Sequence, residues 1–127
     1  LVGVSRTSKT PTCIYLANRG LRAANVPIVP NIKLPPIFDT LNCVSGPLIV
    51  GLTTDPRRLV QVRRNRLRLL DHDADTDYVD PETVRDEVAT ARRLFGERDW
   101  PVIDVTRRSI EETAATILQI LDRDRER

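Results

Sequence analysis

The stretch that most constrains this chain is its beginning, Leu1-Val2-Gly3-Val4-Ser5-Arg6-Thr7-Ser8-Lys9-Thr10, which reads as the end of a strand entering a phosphate-binding loop. Such a loop needs small residues so that backbone N–H groups can turn inward around a phosphate. It also needs a lysine to reach the outer phosphates and a Ser or Thr hydroxyl for Mg²⁺. Gly3, Lys9 and Thr10 stand at the required spacing, with Ser8 in place of the second glycine of G-x-x-x-x-G-K-[ST]. Serine tolerates positive φ less readily than glycine, so the loop departs from the pattern where backbone freedom counts. Pro11 follows at once, and proline suits the first turn of a helix, where its missing N–H is not needed. Strand, loop, Lys-Thr and helix start commit this end of the chain to a β-loop-α unit with helix N–H groups facing an anion. The expected nucleotide-binding residues are Gly3, Val4, Ser5, Arg6, Thr7, Ser8, Lys9 and Thr10, with Lys9 the catalytic cation and Thr10 the metal ligand.

Composition sharpens that reading. Among 20 basic side chains the only lysines are Lys9 and Lys33, so a lysine at the loop is not the default surface charge of this protein. The 127 residues make one domain's worth, and 40% hydrophobic with 30% charged residues is ordinary globular composition. A net charge of +2 and 4% aromatic residues give no case for a nucleic-acid surface. No apolar run approaches the roughly 18 residues of a membrane span, and the expected setting is cytoplasmic. Cys13 and Cys43 have no metal-ligand spacing and are expected to be reduced and structural. The chain opens two residues before the loop and contains no Met, so it is expected to be part of a longer protein with its first strand cut short.

Along the chain, a helix is expected from Pro11 to about Arg19, with Ile14, Leu16 and Ala17 as its apolar positions and Gly20 closing it. Residues 25–29 form a short strand in which Pro27 implies an edge. A proline-rich connector follows, with a short helix over 35–41. Pro47 to Thr53 is a continuous apolar run suited to a strand buried on both faces. Asp55-Pro56 and Asp80-Pro81 each place an N-cap before a proline, starting helices that run to about Leu70 and Phe95. A strand over 101–105 then leads to Ser109-Ile110-Glu111-Glu112, a capping box opening a last helix with Ile110, Thr113, Ala114, Ile117 and Leu121 on one face. Strands alternating with helices imply an α/β fold, a P-loop kinase-like parallel sheet flanked by helices, with ligands at the carboxyl ends of the strands.

Other constellations leave alternatives open. The second long helix carries Arg57, Arg58, Arg63, Arg64, Arg66 and Arg68. Arg63 and Arg66, three apart, could clamp phosphate oxygens with two guanidinium forks, or the run could be a solvated basic face paired with Asp and Glu. Asp104, at the end of a strand, could hold Mg²⁺ or act as a general base, or it could be a turn aspartate before Thr106. Asp71, Asp73, Asp75, Asp77 and Glu82 are spaced as in a calcium loop, but Thr76 replaces the required glycine and Asp80-Pro81 reads better as a helix start. His72 has no partner in the sequence and is expected at the surface.

The loop segment Gly3 to Thr12, with Ile14-Tyr15-Leu16-Ala17 and Ala23-Ala24-Asn25-Val26-Pro27, resembles the pyruvate, phosphate dikinase regulatory protein family. So do Gly51-Leu52-Thr53, Arg58-Leu59 with Arg63 and Arg66, and Trp100 to Glu112; the resemblance covers nearly the whole chain. It implies a bifunctional enzyme that uses ADP to phosphorylate a threonine of pyruvate, phosphate dikinase and inorganic phosphate to remove it, releasing pyrophosphate. It also implies Mg²⁺ at the loop, and contacts from Arg58, Arg63 and Arg66 to phosphate or the protein substrate. The branch acting on phosphoenolpyruvate synthase tends to carry Gly-Lys-Thr where this chain has Ser8-Lys9-Thr10, so the wording here favours the dikinase branch. A module that binds ADP without catalysis is the alternative from another class.

Overall fold

Four short apolar segments pair side by side in the computed structural model, which describes residues 1–29, 48–69 and 79–125. They are β1 (Val2–Gly3), β2 (Val26–Pro27), β3 (Gly51–Thr53) and β4 (Val102–Asp104). All pairings are parallel, in the order β2-β1-β3-β4. Register is set by Val2 opposite both Val26 and Gly51, and by Leu52 opposite Ile103. Pro27, which has no N–H to give a ladder, lies on the edge strand β2, as its chemistry requires.

The sheet is flanked by helices α1 (Lys9–Asn18) after β1, α2 (Pro56–Leu69) and α3 (Pro81–Glu97) between β3 and β4, and α4 (Ile110–Arg125) after β4. Their ends follow local chemistry. Asp80 caps α3 by accepting from Thr83 N at 3.1 Å, with Pro81 in the first turn. Ser109 Oγ accepts from Glu112 N at 3.1 Å, the first half of a capping box, and its hydroxyl donates to the Glu112 carboxylate at 3.3 Å. Gly20, at φ 84°, closes α1 through bonds from Gly20 N to Ala17 O and Leu21 N to Leu16 O.

Both faces of the sheet are covered. Leu16 of α1 and Ala114 and Ile117 of α4 pack on Val50, Leu52 and Ile103. On the other face Leu59 and Val60 of α2 and Val84, Val88, Ala91 and Phe95 of α3 pack with Val2 and Val4. The buried stripe of α1 is Lys9, Thr12, Cys13 and Leu16, whereas Ile14 is 59% exposed and Ala17 is also exposed, against the expectation for both. The interval of three or four residues selects the inward face, and here it selects small groups over the larger apolar one. The short helix expected over 35–41, Cys43, His72 and the acids at 71–77 lie outside the described residues.

Phe95 lies fully buried against β3, and a Cβ at Gly51 would stand 2.7 Å from its ring. Gly51 is thus the gap that lets the ring settle on the sheet. Gly51→Ala is expected to lower stability by about 1–3 kcal/mol through overpacking, read as a drop in urea midpoint with an unchanged m-value. An unaltered midpoint would show that the ring can move aside.

Candidate active site

The loop between β1 and α1 is built by close approach and by alternating backbone handedness. A Cβ at Gly3 would sit 2.8 Å from both Leu52 O and Thr7 Oγ1, so only glycine lets β1 and the loop come together there. Arg6 and Ser8 have φ of 68° and 64°, and the residues on either side do not. That alternation turns successive N–H groups to one side, the condition for an anion-binding nest. Ser8 takes the left-handed conformation that its replacement of glycine made costly, as N-cap of α1 and without a side-chain cap bond. Thr12 holds it by donating from both N and Oγ1 to Ser8 O.

Lys9 is 8% exposed, and its Nζ donates to Val4 O at 2.6 Å and lies 3.4 Å from Thr7 Oγ1, itself a donor to Val4 O. The ammonium is therefore held against the loop's own backbone. Burial, helped by the charges of Arg6 and Arg63, lowers its pKa to about 8. Thr10 stays exposed and accepts from Asn25 Nδ2 at 3.3 Å, which leaves its hydroxyl oxygen open to a cation.

Below the loop lies a buried ion pair. Arg63 of α2 is 1% exposed and grips Glu87 of α3 with both terminal nitrogens, at 3.1 and 2.9 Å. The same Nη2 reaches Ser5 O at 3.4 Å. One side chain thus joins α2, α3 and the loop.

The carboxyl ends of β3 and β4 make a second polar cluster. Asp104 Oδ1 accepts from the N–H and hydroxyl of Thr106, whose Oγ1 in turn accepts from Asp55 N at 2.8 Å. With the Thr106 proton given to Asp104, it is Thr54 that donates across the 3.2 Å gap between the two threonine hydroxyls. Arg92 Nε donates to Thr53 Oγ1 at 3.0 Å. Desolvation disfavours the Asp104 charge, but the two bonds from Thr106 and the nearby Arg92 and Arg108 outweigh it and hold its pKa below the usual carboxylate value.

The profile of the kinase/pyrophosphorylase family matches residues 1–118. The chain belongs to this family. It is 61% identical over 122 residues to a protein of Caulobacter vibrioides, an alignment that takes in 95% of this chain and 38% of the relative. A Rhizorhabdus wittichii protein is 60% identical over 122 residues (96% and 43%) and a Paramagnetospirillum magneticum protein 56% over 127 (100% and 40%). Each of the three bears the provisional name pyruvate, phosphate dikinase regulatory protein. The chain spans about two-fifths of their length.

The kinase/pyrophosphorylase fold brings Gly3 to Thr10 together as one loop and places Asp104 two strands away, about 10 Å at ordinary strand spacing. It does not assemble the arginine clamp expected on α2. Arg63 faces inward to Glu87, while Arg58 and Arg66 are exposed. Sequence reasoning missed Glu87, Thr54 and Arg92, while the turn it allowed for Asp104 before Thr106 does form. The run Thr53-Thr54-Asp55 after an apolar strand was a signal for the hydroxyl cluster, whereas nothing local marks Glu87 as the partner of a residue 24 positions earlier.

Arg63→Met is expected to cost about 3–5 kcal/mol, since it strands a buried carboxylate, whereas Arg63→Met with Glu87→Leu should cost far less. Urea unfolding of the two variants compares them, and equal losses would make packing rather than charge the cause. For Lys9 the unfolded chain, near its ordinary value of 10.5, holds the proton that the folded chain has begun to release at about 8. The contribution of this group to stability therefore rises with pH between those values. Unfolding curves at about pH 7 and about pH 10 should show that rise in the parent and a smaller one in Lys9→Met.

Proposed function

We propose that the chain is the phosphoryl-transfer part of a bifunctional cytoplasmic enzyme acting on pyruvate, phosphate dikinase. In one direction a threonine hydroxyl of the dikinase attacks the β-phosphorus of ADP, the bridge to the α-phosphate breaks, and AMP leaves. In the other, an oxygen of inorganic phosphate attacks the phosphothreonine phosphorus, the threonine oxygen leaves and takes a proton, and pyrophosphate is released. The family membership and the relatives' names support the regulatory target, and Thr7-Ser8-Lys9-Thr10 supports the dikinase over phosphoenolpyruvate synthase.

The observation that carries the reading is the position of Lys9, a buried ammonium held on Val4 O at the start of α1, within a loop of alternating handedness. N–H groups of Gly3 to Ser8 hold phosphate oxygens, and Lys9 swings from Val4 O to the transferring phosphoryl group, where negative charge develops. Mg²⁺, when bound, neutralises phosphate charge, and the Thr10 hydroxyl is the ligand this chain offers it. Asp104, held ionised and with Oδ2 free of hydrogen bonds among the described residues, is the candidate acceptor for the threonine proton. Arg58 and Arg66, exposed on α2, serve as contacts to phosphate or the protein substrate.

Radiolabel transfer from [β-³²P]ADP to the dikinase by the full-length protein tests this reading, and nucleotide binding without transfer would favour a sensing module. Lys9→Ala should depress both that transfer and pyrophosphate release from the phosphothreonine dikinase by about a hundredfold or more. Full pyrophosphate release beside a dead kinase would place the two reactions at separate sites.

A further inference from the structure

Charge on α2 is divided between its two sides. The helix carries Arg57, Arg58, Arg63, Arg64, Arg66 and Arg68 and no acidic residue. Only Arg63 turns inward, to Glu87. On the outer side Arg58, Arg64 and Arg68, with Gln61, Val62 and Asn65, line a depression of roughly 320 Å³. The three arginines are exposed, and among the described residues none of them has a carboxylate within ion-pair distance.

The shape of this basic patch points to its occupant. Arg58 to Arg68 spans about 15 Å of helix axis at roughly 1.5 Å per residue. Guanidinium groups strung over that length cannot converge on one phosphate. They match carboxylates repeated along an extended chain, about four or five residues at roughly 3.3 Å each. Gln61 and Asn65 lie between them and can bond backbone amides of the same segment. The direction also fits. α2 starts immediately after the carboxyl end of β3, where the phosphate loop of the adjacent strand β1 also emerges, so Arg58 is the end of the patch nearer the chemistry.

We propose that the outer face of α2 docks a short, extended acidic segment of the protein substrate and so guides a neighbouring threonine toward the loop. This rests on the protein-kinase reading above. Single exposed charge pairs contribute little, so the patch acts by summing several weak contacts and by steering encounter, both sensitive to salt.

A fluorescein-labelled decaglutamate peptide, followed by anisotropy with the full-length protein, tests the surface without requiring catalysis. The parent should bind at low ionic strength and weaken as salt is added. R58E/R64E/R68E should bind about tenfold or more weakly, while R22E/R93E/R123E, with the same charge change elsewhere, should stay within about twofold of the parent. In the kinase assay the first variant should raise KM for the dikinase by a larger factor than it lowers kcat. Equal losses in both triple variants, no loss in either, or no binding by the parent would overturn the proposal. So would a marked fall in melting temperature in R58E/R64E/R68E alone, which would mean that the rest of the protein covers this face. Peptide binding lost selectively in R58E/R64E/R68E, alongside no label transfer from ADP in the parent, would uphold the docking face and overturn the kinase reading alone.

Discussion

The buried pair between Arg63 and Glu87 is the interaction on which the site depends. Moving two charges out of water is expensive, and the attraction between them roughly offsets that cost without exceeding it by much. Its value is positional. The guanidinium plane fixes α2 against α3 through two parallel bonds and meets the loop at Ser5 O, so a shift of either helix is felt at the loop backbone. The same cation acts on Lys9 through space, adding to burial and to the charge of Arg6 in lowering the lysine's pKa to about 8. One ion pair therefore braces the loop and adds, after burial and Arg6, to the lowering of its lysine's pKa.

The sheet explains why these parts meet. β1 is interior, and the chain leaves it first toward β2 on one side and later returns to β3 on the other. Connections that depart in opposite directions open a crevice above the carboxyl ends of such a sheet. The loop after β1 stands on one wall, and the Thr54, Asp55, Thr106 and Asp104 network after β3 and β4 on the other. The hydroxyl bonds hold the two strand ends in register where the ladder stops, so the far wall is as fixed as the loop. Gly3 and Gly51 serve the same end from within the sheet, one admitting the loop and the other the Phe95 ring.

Much of this was legible in the sequence wherever the deciding physics is local. Gly3, Lys9 and Thr10 announce the loop by spacing, Asp80-Pro81 and Ser109 to Glu112 announce helix starts, and Pro27 announces an edge. Each of those depends on residues within a few positions. Arg63 was not legible in the same way. Six arginines on one helix argue for a solvated face, and only the fold reveals that one of them meets an acid on the next helix. Ile14 misled for a related reason, since apolar character marks a core face only when the register agrees, and the register of α1 is set by Lys9 and Thr12 at the loop. Asp104 stayed open between two readings. The geometry gives it a turn role through Oδ1, and among the described residues Oδ2 has no hydrogen bond, which leaves room for the proton-accepting role proposed above.

On the proposed function, a pKa of about 8 would suit Lys9 to transferring a phosphoryl group in two directions. At neutral pH the ammonium remains mostly protonated, and an approaching phosphate raises the pKa further by offering an opposite charge. Desolvation has already been incurred in folding, and the bond to Val4 O keeps the group oriented until a stronger acceptor arrives. A cation prepared in this way stabilises charge on the phosphoryl group whether the oxygen leaving it belongs to AMP or to a threonine. The transition states of the two reactions differ in their entering and leaving groups but share the phosphoryl group in the middle. On that proposal a single loop that recognises the shared part would serve both reactions, and the choice between them would fall to which partner, ADP or inorganic phosphate, occupies the remainder of the crevice.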